Sequence, residues 1–175
     1  DGTITVVSRE DGSGTRGAFI ELFGIEEKND AGEKIDNTTD TAEITNSTAV
    51  MMTTVAGNDN AIGYVSLGSL NDSVKALSID GVEASADNIK NGTYAVARPF
   101  NIATGKEVSE VTQDFINFIL SEDGQAVVEE NGYISQGNTG AFKSTEAEGK
   151  IVVAGSSSVT PVMEKLKEAY LAINP

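Results

Sequence analysis

The chain contains no cysteine, no histidine and no tryptophan. Without thiolates or imidazoles there is no cysteine nucleophile, no zinc-finger spacing, no imidazole general base and no Ser-His-Asp triad. No metal and no cofactor are expected, and carboxylates, lysines, hydroxyls and backbone amides are the groups left to act. Basic side chains are also scarce, with 12 Lys and Arg against 27 Asp and Glu for a formal net charge of −15. That charge repels the nucleic-acid backbone and the anionic face of a membrane, so neither nucleic acid nor lipid is an expected partner. Long apolar runs are absent too: Phe115 to Leu120 and Ile151 to Ala154 fall far short of the ~20 residues that span a bilayer. Asp1-Gly2-Thr3 lacks a basic region followed by an apolar one, so no signal peptide is read in this segment. Export stays open, since a chain without cysteine suits a secreted bacterial protein and many cytosolic ones.

With 175 residues, the chain can bury roughly 70% of its unfolded surface, enough for one domain or two small lobes. Ile4 to Val7 reads as a strand, Asp11-Gly12-Ser13-Gly14 as a tight loop, and Thr15 to Phe23 as a helix. Residues 24 to 43 read as an exposed loop, followed by a helix over Ile44 to Ala56 that stops at Gly57-Asn58. Short strands are expected at Ala61 to Ser66, Val74 to Ile79 and Tyr94 to Ala97, with a turn at Asp80-Gly81. Val108, Val111, Phe115, Phe118 and Ile119 share one helical face, and a second helix runs from about Ser121 to Asn131-Gly132. Residues 135–149 read as a linker. Beyond it, Ile151 to Val153 reads as a strand, Gly155 to Ser158 as a turn and Val159 to Ile173 as a helix, with Pro161 in its first turn.

Strand, small-residue loop and helix thus occur twice. The first loop holds Arg9, Asp11, Ser13, Gly14 and Thr15, and glycine there lets backbone amides approach a ligand closely. The start of the following helix leaves amides unpaired with a partial positive charge behind them, so an anion is the natural guest. Two of the chain's three arginines, Arg9 and Arg16, flank this loop. Arg9 is placed to grip an oxyanion, whereas Arg16 enters the helix and is expected to face away. The required Gly-Lys-Ser/Thr ending of a nucleotide P-loop is absent. Taken alone, either loop also suits a plain tight connection with an N-cap.

Residues Ile4 to Phe19, then Val55 to Gly68, Gly92 to Pro99 and Phe115 to Tyr133, resemble in order the phosphate-binding proteins of bacterial ABC phosphate uptake systems. Lys150 to Leu166, with Gly155-Ser156-Ser157-Ser158, resembles the opening of the same family, yet here it follows the closing part. The chain is thus expected to be a partial, rearranged or tandem-derived segment. The resemblance implies an α/β, two-lobed periplasmic-binding-protein-like fold. One lobe would be residues 1–98, and the second residues 99–134 plus 150–175. It further implies a binder of inorganic phosphate, held in an interlobe cleft, that delivers its ligand to an ABC permease and sits outside the cytoplasm. Arg9, Ser13, Gly14, Thr15, Ser157 and Ser158 would hold the phosphate, with the amide of Ser158 as a donor and Asp11 orienting Arg9. The middle of the family's chain has no counterpart here, so a missing segment, from the same full-length protein or a second chain, would complete the site.

An enzyme acting on phosphate esters, with Asp11 or Glu10 as base, lacks a recognisable metal cluster and any histidine and is not expected. The alternative is an extracellular interaction or sensing module whose binding-protein fold has lost tight ligand binding.

Overall fold

The β-branched residues near the amino end favour extended backbone, and they form β1 (Thr5–Arg9). In the computed structural model, which describes residues 2–135 and 137–175, β1 leads through the Ser13 cap into α1 (Gly14–Leu22). A two-stranded antiparallel hairpin follows, β2 (Glu26–Lys28) with β3 (Lys34–Asp36). The chain then runs through β4 (Glu43–Thr45), α2 (Thr48–Ala56) and β5 (Ala61–Ile62). The three strands β4, β1 and β5 lie in that order as a parallel sheet, with Arg9 opposite Thr45 and Val6 opposite Ile62. Parallel strands need crossover connections, and α2 carries the chain from β4 past β1 to β5.

The chain divides into two compact units, Asp1–Arg98 with Ser156–Ser158, and Pro99–Gly155 with Val159–Pro175. Ser156–Ser158, expected with the second lobe, therefore group with the first unit.

In the first unit Val7, Ile20, Met51 and Met52 are buried. Gly63 packs so closely that a Cβ there would lie 2.5 Å from the Met51 sulfur and 3.0 Å from a Val55 methyl. Val6, Ile44 and Ile62 point to one face of the sheet, because registered and alternate residues share a side. All three are exposed.

The sequence expectations for this unit are corrected at five places. The segment 24–43 is not simply a loop, because it contains β2, β3 and the start of β4. The helix expected from Ile44 begins at Thr48, since Ile44 and Thr45 belong to β4. Neither Val74–Ile79 nor Tyr94–Ala97 is a strand; Ile79 only bridges Val82 around the Asp80-Gly81 turn, and a short helix, α3 (Ala86–Lys90), lies between them. β5 stops at Ile62 rather than Ser66.

The second unit is helical: α4 (Glu110–Leu120), α5 (Glu122–Glu130) and α6 (Thr160–Ile173), with Pro161 in the first turn of α6. Phe115, Phe118, Ile119, Tyr133, Val162, Leu166 and Tyr170 form its core, with Phe142 packed against them. Phe142 comes from the stretch read as a linker, and so do Ser144 and Thr145. The buried Asp114 carboxylate accepts hydrogen bonds from Thr145 N at 2.9 Å, Tyr170 OH at 2.9 Å and Ser144 Oγ at 3.2 Å. Burial pushes the Asp114 carboxyl up, and these donors outweigh it and hold it below its ordinary value. Ile151 to Val153 forms no strand: among the described residues it has no ladder partner, and Val152 is 80% exposed.

Candidate anion site

The path of the chain places the site. From β1 it moves to β4 on one side of β1, then crosses to β5 on the other, so connections diverge at the carboxyl ends of β1 and β4. Crevices outside the carboxyl ends of parallel strands, where strand order reverses, are where such sheets bind ligands. Arg9 ends β1, Thr45 ends β4, and the first turns of α1 and α2 follow within a few residues. Two hydrogen bonds lock the strand ends together, from Thr45 Oγ1 to Ser8 O at 2.8 Å and from Glu10 N to Thr45 O at 2.9 Å.

Arg9 is 2% exposed, and its guanidinium is the centre of the arrangement. Its Nε donates to Glu10 Oε2 at 2.9 Å and its Nη2 to Glu10 Oε1 at 3.0 Å, a bidentate pair. Nη2 also donates to Ser157 Oγ at 3.1 Å, and Nη1 donates to Thr48 Oγ1 at 3.3 Å. The hydrogen bond from Arg9 holds the Glu10 carboxyl below its ordinary value. The residue that orients Arg9 is therefore Glu10. Asp11, expected in that role, has a side chain 98% exposed and pairs with Arg16 Nη1 at 2.8 Å.

Arg16 does not face away. Its Nη1 donates to Arg9 O at 2.9 Å, and its guanidinium pairs with Asp36 at 2.7 Å, so it braces the loop against β3.

Ser13 caps α1, accepting from Arg16 N at 3.3 Å, and its own amide closes a turn onto Glu10 O at 3.2 Å. Gly14 and Thr15 are the first residues of α1, whose amides have no intrahelical acceptor. The left-handed backbone of the loop is at Gly12, with φ 82°, and not at Gly14. Gly14 is exposed, and a Cβ there would rest 3.5 Å from Ser156 Cβ, an ordinary contact. Thr15 Oγ1 is hydrogen-bonded to Ser158 Oγ, and the Ser158 amide, expected as a ligand donor, instead donates to Ser156 Oγ at 3.3 Å.

The structure thus brings Arg9, Ser157, Thr15 and Ser158 into one hydrogen-bonded neighbourhood with Ser13 and Gly14 in the adjoining turn. It adds two residues that the sequence does not place there, Thr48 and Tyr64, and gives Glu10 the role of holding Arg9. The Tyr64 hydroxyl bonds Ser8 Oγ at 2.9 Å and accepts from Arg9 N at 3.2 Å, while its ring stacks on Phe19 with centroids 4.1 Å apart. Tyr64 lies in the Val55 to Gly68 segment that carries the family resemblance. Thr48 carried no signal, being one hydroxyl at the head of an apolar helix.

Residues 1–123 match a family model described as a PBP superfamily domain. Over 175 residues the chain is 64% identical to a Streptococcus agalactiae serotype V protein named Phosphate-binding protein PstS 2, an alignment covering 99% of this chain and 59% of that protein. Among solved structures it is similar to a phosphate ABC transporter phosphate-binding protein from Streptococcus pneumoniae TIGR4, with 54% identity and a TM-score of 0.78 over 99% of this chain and 68% of that one. It is also similar to a substrate-binding protein from Clostridium perfringens solved with bound phosphate, with 42% identity and a TM-score of 0.65 over 75% of this chain and 51% of that one. The chain belongs to the PBP superfamily and, within it, to the phosphate-binding proteins of ABC phosphate uptake systems. These relatives are named as binding proteins and not as enzymes. The chain spans about three fifths of the curated Streptococcus agalactiae relative. No helix among the described residues is long and apolar enough to cross a membrane.

Proposed function

We propose that this chain carries the arginine-centred part of an inorganic-phosphate site in an extracytoplasmic binding protein that serves an ABC permease. The observation that supports this reading is the buried Arg9 guanidinium, ringed by the Ser157 and Thr48 hydroxyls beside the open amides of α1. A charged donor, hydroxyls and helix-start amides together offer an oxyanion several directed contacts, and fixed dipoles in a confined space outweigh a net negative surface that salt screens over ~8 Å. Arg9, Ser13, Gly14, Thr15, Ser157 and Ser158 are the proposed phosphate contacts, with Ser158 acting through its hydroxyl on Thr15. Asp11 acts at one remove, by holding Arg16 against the loop.

The two fifths of the Streptococcus agalactiae relative that this chain does not span are proposed to complete the shell and to supply the acceptor that tells phosphate from sulfate, which carries no proton at neutral pH. Each charge-assisted hydrogen bond not made costs roughly 1.5–3 kcal/mol, so the chain alone is expected to bind phosphate weakly and to discriminate poorly against sulfate. Calorimetry on the chain alone, and again with the remaining segment added, tests this. Tight, sulfate-excluding binding by the chain alone would overturn the incomplete site. Absence of phosphate binding in both forms would favour the interaction or sensing module instead.

A further inference from the structure

We infer that Thr48 is a further ligand contact of this site, its hydroxyl donating to the bound oxyanion. The inference rests on the phosphate reading above and follows from counting protons. Thr48 Oγ1 accepts from Arg9 Nη1 at 3.3 Å, Ser157 Oγ accepts from Arg9 Nη2 at 3.1 Å, and the two hydroxyls share one hydrogen bond of 3.1 Å. Each hydroxyl carries a single proton. Whichever direction their mutual bond takes, one proton remains, and it meets no acceptor among the described residues. Arg9 holds a further surplus: of its five N–H groups, Nε spends one, Nη2 spends two and Nη1 spends one, which leaves the second N–H of Nη1.

One hydroxyl proton and one guanidinium proton are therefore left over within a single ring of contacts whose acceptors are already engaged. A guest with several lone pairs and negative charge answers both. Thr48 is also firmly held in place. It is 8% exposed, and the Ser47 side chain caps the same first turn by accepting from Val50 N at 3.2 Å. Its hydroxyl position is thus set by α2, while Ser157 arrives from a separate part of the chain. With the Ser157 proton given to Thr48 Oγ1 across their 3.1 Å bond, the Thr48 proton is the one left for the ligand.

The test separates the hydroxyl from the packing. Inorganic phosphate is titrated calorimetrically into the chain, alone and within its full-length gene product, for the natural sequence, Thr48→Val and Thr48→Ser, with thermal midpoints measured in parallel. Thr48→Val keeps the shape and removes the hydroxyl, and it is expected to lower phosphate affinity about tenfold or more, the loss of one hydrogen bond to a charged group. Thr48→Ser keeps the hydroxyl and is expected to bind within about twofold of the natural chain. Should Thr48→Val fail to fold, Thr48→Ala takes its place with the same expected loss. Natural affinity in the variant without the hydroxyl, or an equal loss in Thr48→Ser, would overturn the inference and leave the phosphate reading standing. Absence of binding by the natural chain in both forms would remove the phosphate reading, and this inference with it.

Discussion

A guanidinium buried at a strand end needs its charge answered, and Glu10 answers it with both carboxylate oxygens. Arg9→Ala removes the positive group that the Thr48 and Ser157 hydroxyls contact. It is expected to weaken phosphate binding about tenfold to a hundredfold, by the loss of a charge-assisted contact. Arg16→Ala acts differently, because Arg16 touches the loop backbone and Asp36 rather than the open side of the site. A smaller loss of affinity, with faster amide exchange through residues 10–13, is the expected outcome, and equal losses in the two variants would contradict the assignment. The Glu10 carboxyl is lowered in the folded chain by its hydrogen bond to Arg9. A group lowered on folding stabilises the fold above its unfolded value and loses that contribution as pH falls through the folded one. Thermal midpoints of the natural chain should therefore drop in acid more steeply than those of Glu10→Gln. The difference should shrink in salt, since the Glu10 side chain is 37% exposed.

At the scale of elements, the corner between α4 and α5 depends on one serine and one glycine. Ser121 Oγ donates to Phe118 O at 2.6 Å and accepts from Gly124 N at 3.2 Å, ending one helix and capping the next. A Cβ on Gly124 would run into the Phe118 carbonyl oxygen. Ser121→Ala should cost about 1 kcal/mol, a typical cap, and Gly124→Ala should cost more because backbone must move; chemical denaturation of each variant checks the order. These helices were legible in the sequence because Phe115, Phe118 and Ile119 repeat at helical spacing over a full face. The strand–loop–helix from Thr5 to Leu22 was legible through β-branched residues that end in a glycine-rich turn. The remaining strands are less legible. Val74–Ile79, Tyr94–Ala97 and Ile151–Val153 have the right composition, but a strand exists only against a partner, and periodicity does not say whether one is in reach. Ile44 falls into the helix pattern of α2 because a three-residue strand is too short to show alternation. In the site, Arg9 announced itself by rarity, whereas Glu10 and Asp11 look alike in sequence and only their geometry separates them. Thr48 could not be found by any pattern.

For the molecule as a whole, the sheet and the site are assembled from very different lengths of chain. β1, β4 and β5 all lie between Thr5 and Ile62, whereas the hydrogen bond from Arg9 to Ser157 joins residues 148 apart in sequence. Closing a longer loop costs more conformational entropy, by about 0.6 kcal/mol for each doubling of its length, and contacts of large separation tend to form late. In kinetic terms, the Arg9 neighbourhood should then be absent from the rate-limiting step of folding. Contacts missing there slow unfolding without hastening folding. Ser157→Ala should therefore speed unfolding in denaturant while leaving the refolding rate nearly unchanged, whereas truncation of Val7 at the centre of the sheet should slow refolding. Stopped-flow measurements of both arms would read this directly, and a Ser157→Ala chain that refolds slowly would place the serine loop in the nucleus. The ordering also has a consequence for a newly made chain: its sheet can be in place while Arg9 still awaits its serine, so the Arg9 neighbourhood assembles only once Ser157 has been made.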